Sequence, residues 1–195
     1  MQHFQTDDAR WALKRATDPV HQALDERLSA LDLTDARNYA TFLRINARAM
    51  LPVEAALVAA GAAGAGVEWN ERRRTDALLA DLAGLGISPP PPVAVEPIGG
   101  GRAGLLGTLY VLEGSRLGGM ILARRAAGGG EAVRSNMRFL DHGAGARLWP
   151  RFVAHLDALA TGAGMDAATA AALEAFAAFD RAMAAEGMAD ARRAA

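Results

Sequence analysis

Apolar residues recur at intervals of three and four along most of the chain, the spacing that turns one face of an α-helix toward a core. Val20, Leu24, Leu28 and Leu31 form such a stripe in a first helix or helix pair over 8–31. Thr17 and Asp18 precede Pro19 in the manner of a cap followed by a first-turn proline, so the helix restarts or kinks there. Asp35 is placed to cap a second helix with Tyr39, Phe42, Leu43 and Met50 inward, and Pro52 should bend or interrupt it. After a small-residue loop over 61–66, Asn70 is placed to cap a third helix over 71–82, with Leu78, Leu79 and Leu82 inward and Gly84 and Gly86 ending it. A loop or short helix is expected over 134–140. Trp149, Phe152, Leu156 and Leu159 form a further stripe, and the last helix, over 165–189, turns Leu173, Phe176, Phe179 and Met183 inward. No alternating pattern is long enough for a convincing strand, and no repeat is visible. The expected fold class is all-α.

Four consecutive prolines, Pro89 to Pro92, favour an extended segment. Neither flank carries enough apolar sequence for a core of its own, so this is a crossing within a single domain spanning 1–195, its core over about 10–185. A helix over 104–126 follows and is ended by Gly128, Gly129 and Gly130. Within it, Leu112-Glu113-Gly114-Ser115-Arg116-Leu117-Gly118-Gly119 holds three glycines. Each costs about 1 kcal/mol relative to alanine inside a helix. Gly114 and Gly118 share a face, and two neighbours suit a face without side chains: another helix, or a large planar ligand.

Composition narrows the chemistry. The formal net charge is −1, which gives no general bias toward nucleic acid. There is no cysteine, so disulfides, thiolate metal ligation and nucleophilic thiol catalysis are excluded. The first fifteen residues lack the apolar run of a signal peptide, and the stretch over 103–123 is interrupted by Glu113 and Arg116, as a buried helix would be and a membrane span would not. A cytoplasmic protein is expected. Upstream, Lys14, Thr17, His21 and Asp25 stand at helical spacing, with a cation and a carboxylate flanking the histidine.

Taken together, the Leu13-Lys14-x-Ala16-Thr17-x-x-Val20-His21 run and the Leu112–Gly119 run resemble the proximal- and distal-helix motifs of the haem oxygenase family, particularly its bacterial biliverdin-producing branch. Trp69 to Leu82 resembles the third helix of those members, and Phe139-Leu140, Trp149 and Phe152 fit their C-terminal half. The resemblance implies haem held between two helices as substrate and cofactor, with His21 as iron ligand. It implies a distal helix kinked at its glycines, leaving room for oxygen on the iron, with Gly114, Ser115, Gly118 and Gly119 as the catalytic positions. Carried over to this chain, Lys14, Tyr110 and Arg125 (or Arg124) contact the propionates, and Asp25 orients the histidine. The implied reaction opens the porphyrin with dioxygen and external electrons from a ferredoxin or flavoprotein reductase, giving biliverdin, carbon monoxide and ferrous iron. No nucleic-acid or membrane partner is implied.

Two positions depart from the animal-type pattern. Ser115 replaces an aspartate, and Asp18 replaces a second lysine. The alternatives are a haem carrier or sensor of the same fold, which Ser115 favours, and a helical scaffold whose glycines only pack helices. The thiaminase-like branch of this fold relies on a cysteine this chain lacks. His3, His142 and His155 read as structural, Arg72 to Arg74 as a solvated helix face, and Trp149, Phe152, Phe176 and Phe179 as core.

Overall fold

The computed structural model describes residues 9–157, 159 and 162–188. His3, Asp8 and Ala189 lie outside these. Among the described residues the fold is all-α, with no strand. The helices are α1 (Ala9–Ser29), α2 (Ala36–Ala59), α3 (Trp69–Arg72), α4 (Thr75–Gly84), α5 (Gly101–Ala126), α6 (Glu131–Arg134), α7 (Arg138–Asp141), α8 (Leu148–Leu156) and α9 (Ala163–Ala185), with a 3-10 turn at Ala62–Gly64.

Helices α5 and α9 form the central pair, and α1 and α2 also pack on α9. The close approach depends on small residues. The buried side of α9 is largely alanine: Ala168, Ala172, Ala175, Ala178 and Ala182. Gly107 of α5 lies so close that a Cβ there would stand 2.0 Å from the Ala168 carbonyl oxygen. Leu173, expected inward, is exposed, because the alanine face occupies the contact. Phe176 and Met183 are buried as expected.

Both internal prolines are absorbed without ending a helix. α1 runs through Pro19 with no restart. α2 runs through Pro52, and the acceptor that Pro52 cannot serve, the Arg48 carbonyl, takes the Val93 N–H at 3.0 Å instead. The proline-rich crossing is thereby tied to α2, and Arg48 Nη1 adds a bond to the Pro91 carbonyl. Asp35 caps α2 as expected, accepting from the Arg37 and Asn38 amides.

The third predicted helix is two. α3 stops at Arg72, Arg73 is extended, and α4 begins at Thr75. Asn70 is exposed and makes no cap. The start of α4 is satisfied from α2: buried Glu54 accepts from the Arg74 N–H at 2.8 Å, the Thr75 N–H at 3.0 Å and the Thr75 hydroxyl at 2.6 Å. Glu54→Ala should therefore destabilise the fold by about 2–4 kcal/mol, more than a surface cap, because buried donors lose their acceptor. Urea unfolding with an unchanged m-value checks this.

A second acidic clamp holds the end of α9. Glu186 accepts from Arg44 Nε at 2.8 Å and Arg48 Nε at 2.7 Å. Burial pushes its carboxyl up, but the two arginines outweigh burial and hold it below its ordinary 4.5. The native state thus binds this proton less readily than the unfolded chain. The clamp's contribution is complete above about pH 4.5 and is lost as the pH falls through the lower folded value. Glu186→Gln should flatten the acid limb of stability against pH, measured by thermal melts from pH 3 to 7.

Candidate active site

α1 and α5 each pack on α9 and on α8 rather than extensively on each other. Tyr110 bridges them: its hydroxyl hydrogen-bonds Thr17, and its ring lies 6.0 Å from that of Trp149. Burial raises the Tyr110 phenol, with Thr17 and Lys14 opposing, so it stays protonated at neutral pH.

His21 stands one turn past Thr17 on α1. Its side chain is 53% exposed, its ring is 5.5 Å from that of Phe176, and Nε2 lies 3.4 Å from Asp25 Oδ2. Asp25 is therefore beside the imidazole, as expected, but on Nε2. Ligation through Nε2 with Asp25 on Nδ1 requires the ring to turn, a rotation open to an exposed side chain. Lys14 is also exposed and pairs with Asp18 at 2.9 Å, the residue that departs from the animal-type pattern. Arg124 and Arg125 are exposed at the end of α5 and pair with nothing among the described residues.

The glycines of α5 divide into two sets. Gly104 and Gly107 are packing glycines, since a Cβ at either would come within about 2 Å of a carbonyl oxygen. Gly118 and Gly119 have nothing within 4 Å of a built Cβ, and Gly114 has only the Trp149 ring edge at 3.8 Å. Gly118 therefore packs against no helix among the described residues, whereas Gly114 faces Trp149 of α8 at ordinary contact distance. Leu117, Met120 and Ile121, around the same open segment, are exposed apolar side chains. The expected kink does not interrupt the helix, and every residue from Gly101 to Ala126 stays helical.

Beneath this segment lies a polar network that the sequence reading missed. Arg72 and Arg74 are buried, at 2% and 4% exposure, which corrects their reading as a solvated face; Arg73 alone is exposed, paired with Asp76. Arg72 donates to Glu113 at 2.7 Å, the Leu148 carbonyl at 3.0 Å and Glu68 at 2.9 Å. Arg116 donates to Glu113 at 3.0 Å and the His142 carbonyl at 3.0 Å, lies 3.1 Å from His142 Nδ1, and reaches the Arg72 carbonyl. Burial, then Arg116 and Arg74, lower the His142 pKa, so its ring is neutral and Nδ1 accepts. His155 lies 3.5 Å from Glu68. The one sequence signal was Glu113, a carboxylate inside an apolar helical run, which demands a buried partner.

Ser115 belongs to this network. Its hydroxyl donates to the Leu112 carbonyl at 2.8 Å and accepts from Arg74 Nη2 at 2.8 Å.

The arrangement comprises an exposed histidine on one helix, a side-chain-free stripe on another, and apolar side chains around the stripe. Known proteins share both its sequence and its shape. A haem oxygenase from Xanthomonas campestris pv. campestris (strain 8004) is 41% identical over 90 residues, 46% of this chain and 53% of that protein. The match thus spans about half the length of that relative. The NO- and CO-bound haem oxygenase from Neisseria meningitidis superposes with a TM-score of 0.77 at 27% identity, covering 94% of both chains. The chain is similar to haem oxygenases, in sequence over those 90 residues and in fold over nearly its whole length. No protein-family model matches it. It shares the helical architecture of the Neisseria protein along nearly its whole length. Among its described residues no helix is long and apolar enough to cross a membrane, and no cluster of three or more histidine or acidic side chains forms a metal site.

Proposed function

We propose that this protein is a haem oxygenase that binds haem between α1 and α5 and degrades it, with His21 as iron ligand and Gly114, Gly118 and Gly119 forming the face the porphyrin lies against. The observation that carries this is the open stripe of α5, where Gly118 and Gly119 have no neighbour within 4 Å of a built Cβ. A planar apolar ligand would cover it together with Leu117, Met120 and Ile121. When bound, haem supplies the redox chemistry of its own oxidation by dioxygen. The protein supplies ligation and orientation. His21 offers an imidazole nitrogen, and Asp25, one turn on, is placed to fix its tautomer once the ring has turned. Lys14, released from Asp18, and Arg125 offer cations for the propionates, and the Tyr110 hydroxyl lies between α1 and α5 near Lys14.

The products on this reading are biliverdin, carbon monoxide and ferrous iron, as in the bacterial biliverdin-producing branch. The electrons come from a ferredoxin or flavoprotein reductase, and the setting is cytoplasmic. A haem carrier or sensor is the second reading, favoured by one observation: the Ser115 hydroxyl is already engaged by Leu112 and Arg74. A haemin titration followed by reduction in air separates the two. A stoichiometric Soret band that bleaches as a biliverdin band grows is expected; a stable Soret band without bilin would establish the carrier.

A further inference from the structure

The ligand-facing half of α5 exposes Leu117, Met120 and Ile121, so much of its anchorage is the polar network beneath it. Within that network Arg74 is unlike Arg72 and Arg116. Both of those reach the Glu113 carboxylate, whereas the Arg74 side chain donates to two neutral oxygens of α5. These are the Leu112 carbonyl and the Ser115 hydroxyl, each at 2.8 Å. The guanidinium lies over the Phe139 ring at 5.0 Å, and its Nε is buried without an acceptor. Burial, then the Arg116 charge, push it down to about 9, which leaves it cationic at neutral pH.

Burying a guanidinium without a carboxylate partner is costly, and a neutral side chain would fill the space more cheaply. What a neutral chain lacks is the grip on α5. The two oxygens Arg74 holds bracket Gly114. In an α-helix the Leu112 carbonyl is the acceptor for the Arg116 N–H, and here Arg74 Nη2 and the Ser115 hydroxyl draw on it as well. The backbone is therefore fixed at the start of the side-chain-free stripe, where no side chain on the other face holds it.

We propose that Arg74 is the positioning residue of this segment: by gripping Leu112 and Ser115 on either side of Gly114, it sets where the α5 backbone stands relative to haem. The ligand in this inference rests on the function proposed above; the grip on α5 does not. Trp149, whose ring edge is 3.8 Å from the Gly114 Cβ position, reports the backbone without haem.

The test compares wild type, Arg74→Met, Arg74→Lys and Ser115→Ala in the full chain. Three signals are read. The first is the near-UV circular dichroism that Trp149→Phe removes, in haem-free protein. The second is the haemin Kd, and the third is the pH midpoint of the ferric complex's visible spectrum. Arg74→Met should change the Trp149 signal, weaken haemin binding about tenfold and move the pH midpoint. Arg74→Lys should recover most of each, and the effects of Arg74→Met and Ser115→Ala should not add. An Arg74→Met protein that melts earlier but keeps all three signals overturns the inference. If that variant does not fold, wild-type signals in both Arg74→Lys and Ser115→Ala overturn it. Wild-type protein that binds no haemin overturns the proposed function instead, and remains distinguishable because the Trp149 signal needs no haem.

Discussion

His21→Ala is expected to abolish haem turnover and shift the Soret band of any haemin that still binds, while leaving the fold as it is. The loss should exceed the roughly 10–100-fold that removal of an outer partner costs a metal site, since here the ligand itself is removed. Asp25→Ala supplies that smaller effect as a comparison, because Asp25 touches the imidazole and acts only through it. Stability should hold within about 0.5 kcal/mol for His21→Ala, because the side chain is exposed and gives up only a partly solvated ion pair with Asp25 and a ring contact with Phe176. Circular dichroism and thermal melts read the fold; bilin absorbance under a reductase reads turnover. Undiminished turnover by His21→Ala would remove this histidine from the site.

The glycines of α5 give the second large effect, and its two halves point in opposite directions. At Gly107 an alanine Cβ would stand 2.0 Å from the Ala168 carbonyl, a backbone atom that cannot step aside. Gly107→Ala should destabilise by about 3 kcal/mol or more through overpacking. For a chain of this size that lowers Tm by roughly 6–12 °C. At Gly118 a Cβ meets nothing within 4 Å. Gly118→Ala should therefore stabilise the haem-free protein by up to about 1 kcal/mol through helix propensity alone. Gly118→Leu should fold equally well yet lose at least about tenfold in haemin affinity. One helix then carries a glycine needed for the fold and a glycine needed for the ligand. A Gly118→Leu protein with wild-type haemin affinity would count against the ligand face; a Gly107→Ala protein with unchanged Tm would count against the α5–α9 packing.

The architecture was largely legible in the apolar spacing, because α1, α2, α5, α8 and α9 each bury a periodic stripe. What the spacing could not show was supplied from far along the chain. The break between α3 and α4 needs no local breaker, because Glu54 satisfies the new helix start from twenty residues upstream. Pro52 was expected to disturb α2, yet a distant amide took its vacant acceptor. Arg72 and Arg74 looked solvated because a run of arginines gives no sign of the buried α5 oxygens that receive them thirty-eight to forty-one residues later. Leu173 looked buried because leucine outranks alanine in apolarity, whereas a close helix pair selects for small residues. At the site, the two motifs marked His21 and the glycines, and the structure adds which glycines are open. Ser115 was singled out for the ligand side; the hydrogen bonds of its hydroxyl run to Leu112 and Arg74.

The bond from Val93 to the Arg48 carbonyl has a consequence for the order in which the chain assembles. A proline in mid-helix leaves an acceptor that no residue of that helix can use, and this acceptor takes up its defined direction only once the helix has formed. The proline-rich crossing finds its register on α2 through that vacancy and through Arg48. Docking of the crossing is thus conditional on a finished α2, and the lead-in to α5 inherits its position from a defect forty-five residues earlier.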